Sequence, residues 1–146
     1  MNIFMVGKRQ MKHKIFLDSA FAIALSSETD SYHEKAVQIS ENLDDVILVT
    51  MRAILLKIGN TLSKRPFRKA CAALLRSMEA DENVVIVSPS DELYEKGMTL
   101  FAKRANKEWG LIDCISFIVM EEREITEALT TDTHFQQAGF HALMRE

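Results

Sequence analysis

Three aspartates, Asp18, Asp113 and Asp132, lie far apart along this chain, yet each stands where an apolar strand ends or a helix begins: after KIFL, inside GLIDCISFIVM and at the close of EALTTD. Carboxylates that a fold draws together make a site for a hard divalent cation, because magnesium and manganese take oxygen ligands and usually need more than one carboxylate. Singly, each acid would be a helix cap or a solvated charge. Their recurrence at matching ends of three separate elements points to a shared metal site. The histidines make no comparable pair: His13, His33, His134 and His141 lack the i, i+4 spacing that sets two imidazoles on one helix face. His134 is therefore assigned to local packing or capping.

The elements that must position these acids follow from hydrophobic periodicity. KIFLD, VILVT, VVIVS and EALTT are short, apolar and partly β-branched, as buried strands are, and HALM is a candidate edge strand. Between them the 3.6-residue pattern predicts helices over 19–26, 31–43, 52–63, 66–79, 90–105 and 111–122. Asp30 or Ser31 is placed to cap the second of these, Ser90 with Asp91 and Glu92 to open the fifth, and Gly139 to end a short helix after His134. Strands alternating with helices imply a mainly parallel sheet covered on both faces, an α/β/α sandwich with right-handed crossovers. Ligands in such sheets bind beyond the carboxyl ends of the strands.

Composition bounds the rest. The chain has 146 residues, 47% of them hydrophobic, enough for one core and one domain. Residues 1–13 are predicted to be a polar extension and residues 14–146 a single domain. A formal charge of −3 excludes a surface that is basic throughout and leaves room for a local basic stripe. Cys71 and Cys114 sit in apolar helical patterns, as free buried thiols do, so a reducing cytoplasm is expected. Asp18 interrupts the apolar run IFLDSAFAIAL, and a charge there is costly in lipid, so no membrane span is expected.

IFLDSAFAIAL, DSYHEKA, VTMRAILLKIGN, KEWGLIDCISFIVM and EALTTDTHFQQAGF together resemble the PIN domains, and within them the VapC-like ribonuclease toxins of type II toxin–antitoxin modules. The resemblance runs over nearly the whole chain after residue 13. It implies a PIN-like α/β/α fold whose acidic residues bind magnesium or manganese and cleave RNA. Carried over residue by residue, Asp18, Asp113 and Asp132 are catalytic acids and metal ligands, Thr130 is the threonine of a T-x-D motif, and Asn60 is a polar residue of the helix that bears the family's second acid. That second acid, a glutamate in the family's pattern, falls on Lys57. Asn106 replaces an aspartate common in the subgroup, and Gly110 and Ile112 replace hydroxyl residues ahead of Asp113.

An ammonium about 4 Å from a dication is repelled by roughly 8 kcal/mol at an effective dielectric near 20, twice the unit-charge figure, so tight binding of two ions is not expected. Lys57 would instead relieve repulsion among the three aspartates, or swing out to solvent at the helix rim. The expected function is a divalent-metal-dependent endoribonuclease of the toxin type, impaired by Lys57, with weak or partial metal occupancy. The alternative is a catalytically silent PIN domain that binds RNA or an antitoxin-like protein. Arg65 and Arg68, with Lys64 and Lys69 beside them, are candidate phosphate contacts. Trp109 is a candidate base-stacking platform or a core anchor. RNA, an antitoxin protein and a second copy of the chain, forming a homodimer, are the expected partners.

Overall fold

The structure, a computed structural model, describes residues 12–146. The first eleven residues of the expected polar extension lie outside that range; His13, its last residue, opens the first strand. The elements run β1 (His13–Leu17), α1 (Ser19–Ser26), α2 (His33–Ser40), β2 (Val46–Met51), α3 (Arg52–Thr61), α4 (Arg65–Ala80), β3 (Val84–Val87), α5 (Asp91–Lys103), α6 (Leu111–Glu122), β4 (Glu127–Leu129), α7 (Thr133–Gln137), β5 (His141–Ala142) and a closing 3-10 turn (Leu143–Arg145). The sheet has the order β3-β2-β1-β4-β5, and every pairing is parallel.

Strand residues alternate between two apolar layers, as a period of two requires. Phe16, Val49 and Ala128 pack on one face with Phe117 and Met120 of α6 and Phe135 of α7. Ile15, Leu17 and Leu129 pack on the other with Phe21 of α1, Ala36 of α2 and Met78 of α4. The result is the predicted α/β/α sandwich. The main difference in element boundaries is α2, expected from residue 31. The carboxylate of Asp30 accepts the backbone N–H of Tyr32 at 2.8 Å, and this side-chain turn holds the helix start back to His33.

The chain visits β1, β2 and β3 outward in one direction, then returns to pair β4 with the other side of β1. Connections leaving β1 and β4 therefore diverge at their carboxyl ends, which opens a crevice there. Gly139 (φ +97°) adopts the left-handed conformation just beyond α7 and turns the chain into β5.

Candidate active site

Register alone brings the first two site residues together. Phe16 pairs with Ala128 and Leu17 with Leu129, so the next residues, Asp18 and Thr130, leave their strands side by side. The Asp18 backbone N–H still reaches the Leu129 carbonyl at 3.2 Å, and the Thr130 hydroxyl donates to the Asp18 carboxylate at 2.7 Å. The same hydroxyl accepts the backbone N–H of Asp132 at 3.0 Å. Both side chains of the pair are buried, and Thr130 is fully inaccessible.

Asp18 occupies the N-cap position of α1, but its side chain makes no capping bond to that helix. Its carboxylate is turned toward β4 instead, so the plain capping role does not account for it. Burial pushes the Asp18 carboxyl above the ordinary carboxylate range. The Thr130 hydroxyl, the Ser19 amide and the Lys57 ammonium oppose that rise, and the negative charge of Asp113 adds to it.

Asp113 lies in the first turn of α6, where its carboxylate accepts the Gly110 backbone N–H at 3.2 Å. Asp132 caps α7, accepting the His134 backbone N–H at 2.8 Å. This tight turn folds the His134 ring back over the carboxylates, with Nδ1 3.1 Å from an Asp113 oxygen and 3.4 Å from an Asp132 oxygen. Among the described residues, Asp113, Asp132 and His134 form a group whose ligand atoms all lie within 4.8 Å of one another. Asp18 is outside that group and joins it through Thr130 and the Asp132 backbone.

The remaining candidates sit farther out. Lys57 is exposed on α3, yet its charge acts on Asp18. Asn60 is exposed near the end of the same helix, its carbonyl accepting the Ser63 hydroxyl at 3.0 Å. Arg65 and Arg68 are exposed on the first turn of α4, where Arg68 donates to the Ser63 carbonyl at 3.1 Å. Trp109 is a core anchor: it is buried, packs edge-on to Phe117 and donates from Nε1 to Gln137 at 3.0 Å. Cys114 is buried beside Asp113, and both burial and that charge push its thiol up, which suits a small inert hydrophobe.

The family model of the PIN domain matches residues 15–141. The chain belongs to the PIN domain family. This PIN domain is 25% identical over 126 residues to the 23S rRNA-specific endonuclease VapC20 of two Mycobacterium tuberculosis strains, an alignment covering 86% of this chain and 95% of the relative. Its fold is similar to the crystal structure of Mycobacterium tuberculosis VapC20, described as a Sarcin-Ricin loop cleaving toxin. The TM-score is 0.80 at 23% identity, over 88% of this chain and 97% of the other. The expected resemblance to the VapC-like branch is thus borne out, as is the fold. No helix among the described residues is long and apolar enough to cross a membrane.

Nucleases of the PIN family generally use divalent metals, and the donors present here fit such an ion: two carboxylates and an imidazole, part-exposed and convergent. The capping place expected for His134 is observed, and its ring in addition lies against the carboxylates, a placement not read from the sequence. A search for histidines one helical turn apart passes over His134, whose partner is a carboxylate two residues earlier. The signal was D-x-H at a helix start, where the cap bond turns residue i+2 back onto residue i.

Proposed function

We propose that this PIN domain is a divalent-metal-dependent endoribonuclease of the toxin type whose activity is held down by Lys57. The observation that carries this reading is the continuous arrangement Asp18–Thr130–Asp132 beside Asp113, buried at its root and open at its rim. The activities for which the VapC20 relatives are named, cleavage of 23S rRNA and of the Sarcin-Ricin loop, support RNA as the substrate class.

In this reading Asp113 and Asp132 hold the ion. Thr130 fixes Asp18 and the Asp132 backbone in one geometry, so the carboxylates need little rearrangement when substrate arrives. When bound, a divalent ion supplies an activated water and stabilises charge developing on the phosphate oxygens. Lys57 brings a positive charge to the carboxylate cluster, which favours weak occupancy by magnesium or manganese. Lys64, Arg65, Arg68 and Lys69, all exposed around the start of α4, are assigned to RNA phosphates. A cytoplasmic toxin with an antitoxin protein, itself a homodimer, completes the proposal.

The test is cleavage of a ribosomal hairpin and of an unstructured RNA with manganese or magnesium, compared with Asp113→Asn and Asp132→Asn. Slow, metal-dependent cutting by the natural chain that both variants lose supports the reading. Cutting that survives a chelator or both substitutions refutes it. Lys57 also favours a second reading, a silent domain that binds RNA or a protein partner without cutting. RNA retained at low salt with no cleavage under any metal would decide for that alternative.

A further inference from the structure

We infer that His134 is a metal ligand, and that its nitrogen makes this site prefer a borderline transition ion such as cobalt or zinc over magnesium. The inference rests on the metal-dependent reading above and concerns the same site. It starts from spacing. Two donors bonded to one ion at about 2.1 Å stand about 3.0 Å apart at a right angle and about 3.4 Å apart at a tetrahedral angle. The His134 Nδ1 lies 3.1 Å from the Asp113 oxygen and 3.4 Å from the Asp132 oxygen. These separations suit two ligands of a shared ion, and the shorter is here a hydrogen bond between the imidazole and the Asp113 carboxylate that an ion would replace.

The positions are also held independently of any ion. The cap bond between Asp132 and the His134 backbone N–H (2.8 Å) fixes two donors from one turn. The Thr130 hydroxyl fixes the Asp132 backbone (3.0 Å), and fully buried Phe135 anchors the helix directly after His134. The three side chains remain 14% to 35% exposed, so an ion can enter without opening the core.

Donor chemistry then sets the preference. Carboxylates alone suit magnesium, which demands near-ideal oxygen geometry, whereas imidazole suits the later divalent ions of the first row. Charge sets the number. With Asp18 held toward its neutral form by burial, the two convergent carboxylates, Asp113 and Asp132, are matched by a single dication. A second ion would meet the Lys57 charge with no carboxylate left to offset it.

The experiment uses the whole chain. Pulsed electron paramagnetic resonance on protein loaded with Mn2+ should show modulation from a directly bound imidazole nitrogen. The signal should vanish in His134→Ala and in His134→Gln, whose metal-free melting curves report whether the fold is intact. Calorimetric titration should show Co2+ affinity falling by about tenfold or more in both variants, the lower bound expected for losing even an outer partner of a metal ligand, while Mg2+ affinity changes much less. Mn2+ bound without nitrogen modulation, or equal losses for Co2+ and Mg2+, would overturn the inference and leave the ribonuclease reading standing. Nitrogen modulation in a protein that cuts no RNA would uphold the ligand and sink the ribonuclease reading. Failure to bind any of the three ions would overturn both.

Discussion

At the scale of single residues, Thr130 matters as much as the acids around it. It is fully buried, donates to Asp18 at 2.7 Å and accepts from the Asp132 amide at 3.0 Å. Thr130→Val keeps the shape and removes the hydroxyl partner of the buried Asp18 carboxylate and of the part-buried Asp132 amide, which should cost about 1–3 kcal/mol in urea unfolding. A loss well below that range would mean that water replaces the hydroxyl. Asp18 makes a second prediction. Burial raises its carboxyl above the ordinary range in the folded state, so its contribution to stability is full below the unfolded pKa and is lost as pH rises through the folded value. In chelator, Asp18→Asn should therefore gain thermal stability relative to the natural chain as pH rises above the ordinary carboxylate range, where only the natural side chain must carry a buried charge. Parallel stability curves above that range would contradict the cause given. The strand ends and helix starts that carry Asp18, Asp113 and Asp132 were legible in the sequence because local patterns mark them. The placement of the His134 ring against the carboxylates was not, because it depends on a side chain folding back across a cap.

At the scale of elements, α6 carries Asp113 and is seated by its contact with α5. Gly97 of α5 is buried against Ile115, and an added methyl group there would collide with that side chain, two residues from Asp113. Gly97→Ala improves helix propensity by about 1 kcal/mol, and overpacking costs typically about 1–3 kcal/mol, so net destabilisation is expected in chemical denaturation. A more stable variant would show that the two helices slide apart freely. Helices and strands were legible where periodicity is strong: the predicted span of α6 coincides with the observed one, and HALM proved to be an edge strand of two residues before a 3-10 turn. Boundaries were lost where a side chain overrides periodicity, as Asp30 does ahead of α2. Sheet order was not legible. The pairing of β4 with β1, which makes the site, arises from a crossover that no local signal encodes.

At the scale of the whole molecule, a net charge of −3 coexists with an exposed basic cluster at the start of α4. If that cluster holds RNA, affinity falls steeply with salt, and reversing Arg65 and Arg68 together weakens binding to unrelated RNAs alike while reducing the salt slope by about two. Unchanged binding would leave the cluster a solvated face. The central claim is that a PIN domain's metal site carries a built-in cation, and it is tested most directly by calorimetric titration of Mn2+ into the natural chain and into Lys57→Glu. The substitution removes a positive charge that acts on Asp18 and puts a carboxylate at the same helix position, a change of two units in favour of the ion. The account predicts tighter Mn2+ binding by the variant, a larger rise in its melting temperature on adding Mn2+, and faster manganese-dependent RNA cleavage that Asp18→Ala in the same background abolishes. Equal Mn2+ affinity and equal cleavage in the two proteins would contradict it, showing that the Lys57 charge does not govern the site.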